Sequence, residues 1–230
     1  MMKTGEIIKQ ALYKSFPVMA GYIILGVGFG ILLNNAGYGF VWALAMSVLI
    51  YAGSMQYVGI SLLTGGASII ATIITTIMVN ARHLFYSISM IGKYKETGKY
   101  KPYLIFALTD ETYSLLCNDE GPSPDSVNQY RFFVSLFNQI YWVFGCVLGN
   151  LLGMVIPFST KGIEFSMTAL FVASFTEQWL TVRDHVPALT GLLCTALCLV
   201  IFGSEKFLIP SMLLITLILT AIRRREEKVL

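Results

Sequence analysis

Hydrophobic positions along this chain come in long blocks, and the polar residues between them are mostly turn formers. From Ser15 to Ala81 there is no Asp, Glu, Lys, Arg or His, a run of 67 uncharged residues. A helix that crosses a bilayer needs roughly 20 apolar residues, so no water-soluble surface can be built from this stretch. The pattern defines eight hydrophobic segments, at about 16–33, 41–63, 67–91, 103–117, 132–157, 165–181, 186–202 and 207–222. All are expected to be α-helices, because lipid cannot satisfy open backbone groups and the runs lack barrel-type alternation. Turn chemistry separates them: Asn34 to Gly37, Thr64 with Gly65 and Gly66, Gly121 to Pro124, and Gly203 with Ser204. Met1 to Ser15 reads as a short amphipathic lead-in, with Ile7, Ile8, Leu12 and Phe16 at near-helical spacing. It lacks the small-residue cleavage site of a secretory signal.

The fold class that follows is all-α: one polytopic membrane helix bundle over residues 1–230, with about seven or eight transmembrane or re-entrant segments. Composition agrees, with 56% hydrophobic and 13% charged residues, about half the charged share of a soluble domain. The net charge of +3 is too small and scattered for a nucleic-acid-binding face. Lys93, Lys95, Lys99 and Lys101 read instead as neighbours of lipid headgroups. Cys117, Cys146, Cys194 and Cys198 lie in apolar runs without accompanying His or acid, so they read as small buried hydrophobes; neither metal nor cofactor is expected.

Both tails are basic, which places both termini in the cytoplasm. The 92–102 loop, with four Lys and one Glu, then falls outside after three crossings, against the rule. Either it is an exception or an early segment is re-entrant. A weak internal repeat, about 16–91 against 137–205, is also visible. Gly37 to Phe40 leads into a segment ending Ser54, Met55, Gln56, and Gly162 to Phe165 leads into one ending Thr176, Glu177, Gln178. Each is preceded by a glycine-rich helix: Gly21, Gly26, Gly28 and Gly30 in the first half, Gly145, Gly149 and Gly153 in the second. Close helix packing accounts for such glycines; duplicated halves are also a common transporter plan.

Five ionisable groups fall inside or beside the hydrophobic segments: Arg82, His83, Asp110, Glu111 and Glu177. A charge at the bilayer centre costs about 3 kcal/mol or more, so such groups face a cavity or a partner unless they sit at the headgroups. In a continuous third segment Asn80, His83, Ser87 and Met90 share a face, with Arg82 and Tyr86 beside it. Arg82 needs an anion, either the Asp110 and Glu111 pair midway along the next segment or a substrate carboxylate. His83, Asp110, Glu111 and Glu177 are candidates for proton coupling. In segment 2, Gly53 and Ser54 weaken the helix and would expose backbone at a cavity. Gln56 would either contact a zwitterionic ligand or bridge two helices. Gly53, Ser54, Gln56, Asn80 and Arg82 are thus the candidate substrate-binding residues.

These stretches resemble the AzlC family, the large subunit of two-component branched-chain amino-acid exporters. The resemblance rests on Pro17 with the glycine helix ending Gly28, Phe29, Gly30; on Tyr51 to Gln56; on Asn80 to His83 with Tyr86; on Thr109 to Glu111; and on Gly162 to Phe165 with Ala169 to Phe171. Glu164, where the family usually has Asp, and Met55, where a small residue is frequent, depart from it. The resemblance implies export of leucine, isoleucine, valine and methionine driven by the proton-motive force, with a small hydrophobic membrane partner of the AzlD type in the bacterial plasma membrane. The competing classes are an intramembrane enzyme, for which no nucleophile pair, metal cluster or phosphate loop is present, a channel, and a structural subunit whose partner transports.

Overall fold

The structure is a computed structural model that describes residues 3–119, 121–155, 184–204 and 207–226, together with residues 162, 165, 168, 169, 172, 175, 176, 179 and 180. Among the described residues every regular element is helical. Two long helices, α1 (Thr4–Asn35) and α8 (Val127–Val155), form the frame. Both are long and apolar enough to cross a membrane. Around them lie α2 (Phe40–Leu49), α3 (Gly53–Thr64), α4 (Ile69–Asn80), α5 (Arg82–Tyr94), α6 (Lys101–Phe106) and α7 (Asp110–Leu116). Near the C-terminus α9 (Val186–Phe202) packs on α10 (Leu208–Glu226), which also touches α4. Many large apolar side chains face outward, among them Ile24, Val41, Ile69, Ile70, Leu193 and Val200. A water-soluble monomer rarely exposes so much contiguous apolar surface; a lipid solvent accepts it.

Glycine sets how closely the frame helices approach. A Cβ on Gly30 would stand 2.2 Å from the Cys146 carbonyl oxygen, and one on Gly149 would stand 2.1 Å from that of Val27. Gly26 likewise meets the backbone of Gly145 and Cys146, so the two helices touch main chain to main chain. Packing therefore accounts for Gly26, Gly30, Gly145 and Gly149. Asn150 fastens the seam by donating to the carbonyls of Gly30 at 3.3 Å and Tyr38 at 2.9 Å. Residue numbers rise together along this contact, so α1 and α8 run parallel.

Four expectations are corrected. The lead-in is not separate: α1 is continuous from Thr4 through Pro17 to Asn35, because Ile7 and Ala11 are buried against Tyr94, Leu104 and Leu116. Segment 2 divides at Ile50 to Ala52, with Tyr51 at φ +44°. Segment 3 divides at Ala81, where α4 and α5 bend by 49°. Its expected stripe is therefore divided, with Asn80 ending α4 and His83, Ser87 and Met90 on α5. Segment 4 divides at Ala107 to Thr109, so Asp110 opens a helix instead of lying midway along one.

Tracked against α8, the short helices turn back on themselves. The Val48 carbonyl accepts from Gln139 and the Tyr38 carbonyl from Asn150, so α2 descends. Then α3 climbs again: Gly53 faces Trp142, the Tyr57 hydroxyl donates to the Leu25 carbonyl at 2.7 Å, and its ring lies 5.7 Å from Phe29. The bent pair α4–α5 runs down to Lys93, whose carbonyl accepts from Arg131 near the start of α8 at 2.9 Å. From there α6 climbs, Tyr100 lying 5.1 Å from Phe132 and Tyr103 donating to Gln139 at 2.7 Å. Finally α7 descends to Asp119, which meets Lys14 at 2.8 Å. Two helical hairpins thus enter from opposite ends, and their tips meet where the Tyr51 and Phe106 rings lie 6.2 Å apart.

Candidate functional site

Three helix breaks converge beside these tips and enclose a small pocket. It is lined by residues from both tips, from the start of α5, and from α1 and α8, with about 470 Å³ of space including its open mouth. Gly53 and Ser54 open α3, Arg82 and His83 open α5, and Asp110 and Glu111 open α7. The first N–H groups of a helix have no partner within it and carry partial positive charge. Carboxylates at the first turn of α7 therefore suit their position, and Thr109 caps that turn by accepting from the Thr112 N–H at 3.3 Å.

Arg82 is the hub. Its guanidinium forms an ion pair with the Asp110 carboxylate and donates to the Ser54 hydroxyl, so one side chain joins the first turns of α3, α5 and α7. The side chains of Arg82 and Asp110 keep 24% and 23% of their exposure, which leaves the pair open to the pocket without placing it on the surface. Glu111 does not join it. Its Oε2 accepts from the Tyr22 hydroxyl at 2.7 Å, and that hydroxyl also contacts Thr109 Oγ1 at 2.7 Å. The chain continues from Thr109 to Thr112 at 3.0 Å, and Asn138 of α8 donates to Thr112 at 3.0 Å. His83 lines the pocket, and its Nδ1 donates to the Asn80 carbonyl at 3.2 Å.

The apolar wall is Leu25, Tyr51 and Trp142. A Cβ on Gly53 would come within 3.0 Å of the Trp142 ring, so glycine is what lets α3 start against that indole. Trp142 packs edge-on against Tyr22 at 5.5 Å and donates to the Gln56 amide oxygen at 2.8 Å. Gln56 thus bridges α3 and α8 behind the wall. Asn80 too stands outside the lining, holding His83 through its carbonyl. Of the candidates named above, the fold brings together Gly53, Ser54, Arg82, His83, Asp110 and Glu111; Glu177 lies outside the described residues. Tyr22, Leu25 and Trp142 complete the lining without a local signal in sequence, each being one aromatic or aliphatic residue in an apolar run.

Together these features define an all-helical membrane protein, among the described residues, with an ionic pocket at the junction of broken helices. The chain belongs to the AzlC family: the family model described as AzlC protein matches residues 17–156, a span holding every pocket residue. It is 41% identical over 220 residues to the branched-chain amino acid transport protein AzlC of Bacillus subtilis (strain 168), covering 96% of this chain and 87% of that protein. A membrane protein of Haemophilus influenzae is 44% identical over 94% of this chain and 88% of its own length. The inner membrane protein YgaZ of Escherichia coli is 26% identical over 69% of this chain and 68% of its own. No solved structure matches the chain.

Proposed function

We propose that this protein is the large subunit of a secondary exporter that carries leucine, isoleucine, valine and methionine out across the bacterial plasma membrane, driven by the proton-motive force. The carrying observation is the Arg82–Asp110 ion pair, set in a pocket where three helices begin and reachable from it. Broken helices whose N-termini point at a midplane site are how several transporter folds bind a substrate carboxylate. Here the carboxylate takes Arg82 and the free N–H groups opening α3 at Gly53 and Ser54. The ammonium takes Asp110 or Glu111, and the branched side chain lies against Leu25, Tyr51 and Trp142. The substrate ammonium and a proton then compete for the same carboxylate, so a proton arriving from outside displaces the substrate, as export against an inward proton gradient requires. That competition supplies the coupling, with His83 and Glu111 as neighbouring proton acceptors. The two hairpins, entering from opposite ends, provide one gate for each side. A small hydrophobic membrane subunit of the AzlD type completes the exporter.

The experiment is counterflow of radiolabelled leucine in proteoliposomes, with and without the small subunit. Arg82→Ala is expected to abolish counterflow, and Arg82→Lys to retain little of it, because an ammonium cannot hold Ser54 and a carboxylate in the same planar fork. Asp110→Asn is expected to keep counterflow but lose its response to an imposed pH gradient. Undiminished counterflow in Arg82→Ala would remove the pocket from transport.

A further inference from the structure

Outside the pocket, a second concavity opens between α5 and α6. Its floor is Met90, Tyr94 and Leu108, exposed by only 1%, 4% and 5%. Ile91 and Ile105 form its walls, both turned outward, and Lys95 and Lys101 stand at its rim. The free space is about 540 Å³ including the open side.

Charge is arranged selectively around this groove. The 92–102 loop carries four lysines, and two are engaged elsewhere. Lys93 reaches the carbonyls of Leu116 and Asp119 at 3.4 Å each, and Lys99 lies over the Tyr100 ring at 5.3 Å. Lys95 and Lys101 are exposed and form no salt bridge among the described residues. The Tyr94 hydroxyl, on the groove floor, is buried and has no hydrogen-bond partner among the described residues. An apolar slot with two ammonium groups at its rim matches one class of molecule that a membrane offers: a lipid with an acyl chain and a phosphate. The groove also lies at the end of the molecule shared by the start of α1 and the start of α8, where Lys3 and Lys9 add positive charge.

We propose that this groove binds one anionic phospholipid, its acyl chain along Ile91, Ile105 and Leu108 and its phosphate between Lys95 and Lys101. This does not depend on the transport reading, and its test reads binding alone. Each basic residue near a membrane surface is worth about a fivefold change in affinity for anionic lipid. Removing both is therefore expected to weaken binding roughly 25-fold.

Native mass spectrometry of the purified protein, from nanodiscs holding equal amounts of phosphatidylglycerol and phosphatidylcholine, gives the measurement. The wild type is expected to retain one phosphatidylglycerol. The Lys95→Gln, Lys101→Gln double variant should lose it, and Lys99→Gln should keep it. Ile105→Trp fills the slot with both lysines in place and should lose the lipid too, which keeps the test decisive if the double variant folds poorly. Equal retention of the two lipids, or undiminished phosphatidylglycerol in Ile105→Trp, overturns the proposal. So does stabilisation by inorganic phosphate alone equal to that by the lipid, since the site would then be one for a free anion.

Discussion

At the scale of single residues, the pocket depends on a few hydroxyls that decide which acid does what. Asp110 and Glu111 are adjacent in sequence yet have different partners, because Tyr22 reaches Glu111 from α1 while Arg82 reaches Asp110 from α5. Removing the Tyr22 hydroxyl takes one partner from the half-buried Glu111 carboxylate and one from buried Thr109. An unsatisfied buried polar group costs about 1–3 kcal/mol. Tyr22→Phe is therefore expected to lower stability by about that amount in a thermal melt, whereas Tyr13→Phe, at a tyrosine 85% exposed, should change nothing. Asp119 offers a second test outside the membrane-spanning helices. Partial burial would raise its pKa, but the Lys14 ammonium, the Gly121 N–H and the Tyr130 hydroxyl outweigh that and hold it below the usual carboxylate value. A carboxyl whose folded pKa is depressed stabilises the protein above its unfolded pKa, about 4, and loses that stabilisation as pH falls through the folded value. The melting difference between wild type and Asp119→Asn should accordingly be largest near neutral pH and shrink below about pH 4.

At the scale of elements, the breaks matter more than the helices. The weak point at Gly53 and Ser54 was legible in sequence, although the chain opens two residues earlier, at Tyr51, so that Gly53 can begin α3 against Trp142. The breaks at Ala81 and at Ala107 to Leu108 carry no glycine or proline. They bring Arg82 within reach of both Asp110 and Ser54, a tertiary demand that hydropathy does not register. One local clue existed: Thr109 followed by Asp110, Glu111 and Thr112 is a helix-start pattern, set inside what reads as a single apolar run. The glycine helices were legible as a kind but not as a pair, since spacing four apart does not say which helix lies opposite. Their contact makes a sharp prediction. Gly149→Val would force its Cβ onto the Val27 carbonyl and should cost about 3 kcal/mol or more. Gly191→Ala, where nothing lies within 4 Å, should be neutral or stabilising in the same melt.

At the scale of the whole molecule, the parallel run of α1 and α8 decides where the basic loop stands. Counting every hydrophobic segment as a crossing puts the 92–102 loop opposite the N-terminus, against the distribution of positive charge. The structure joins that loop to the start of α8 instead: Asn128 donates to the Glu96 carbonyl at 3.0 Å, Arg131 to that of Lys93, and Lys14 of α1 meets Asp119 close by. The loop and the N-terminal turns of α1 therefore share one end. The hairpin α2–α3 turns back at the far end, which leaves α1 and the bent α4–α5 pair as the elements that run between the two ends before residue 95. A protein in which Cys117, Cys146, Cys194 and Cys198 are replaced, and a single cysteine is placed at Lys9, Gly37 or Lys99, tests the arrangement directly. An impermeant maleimide applied to sealed vesicles of one orientation should treat positions 9 and 99 alike and position 37 oppositely. Labelling of 99 together with 37 would mean that α2–α3 passes through as a broken span. The opposed tips at Tyr51 and Phe106 could not then serve as separate gates for the two sides, and the basic loop would stand as a true exception to the charge rule.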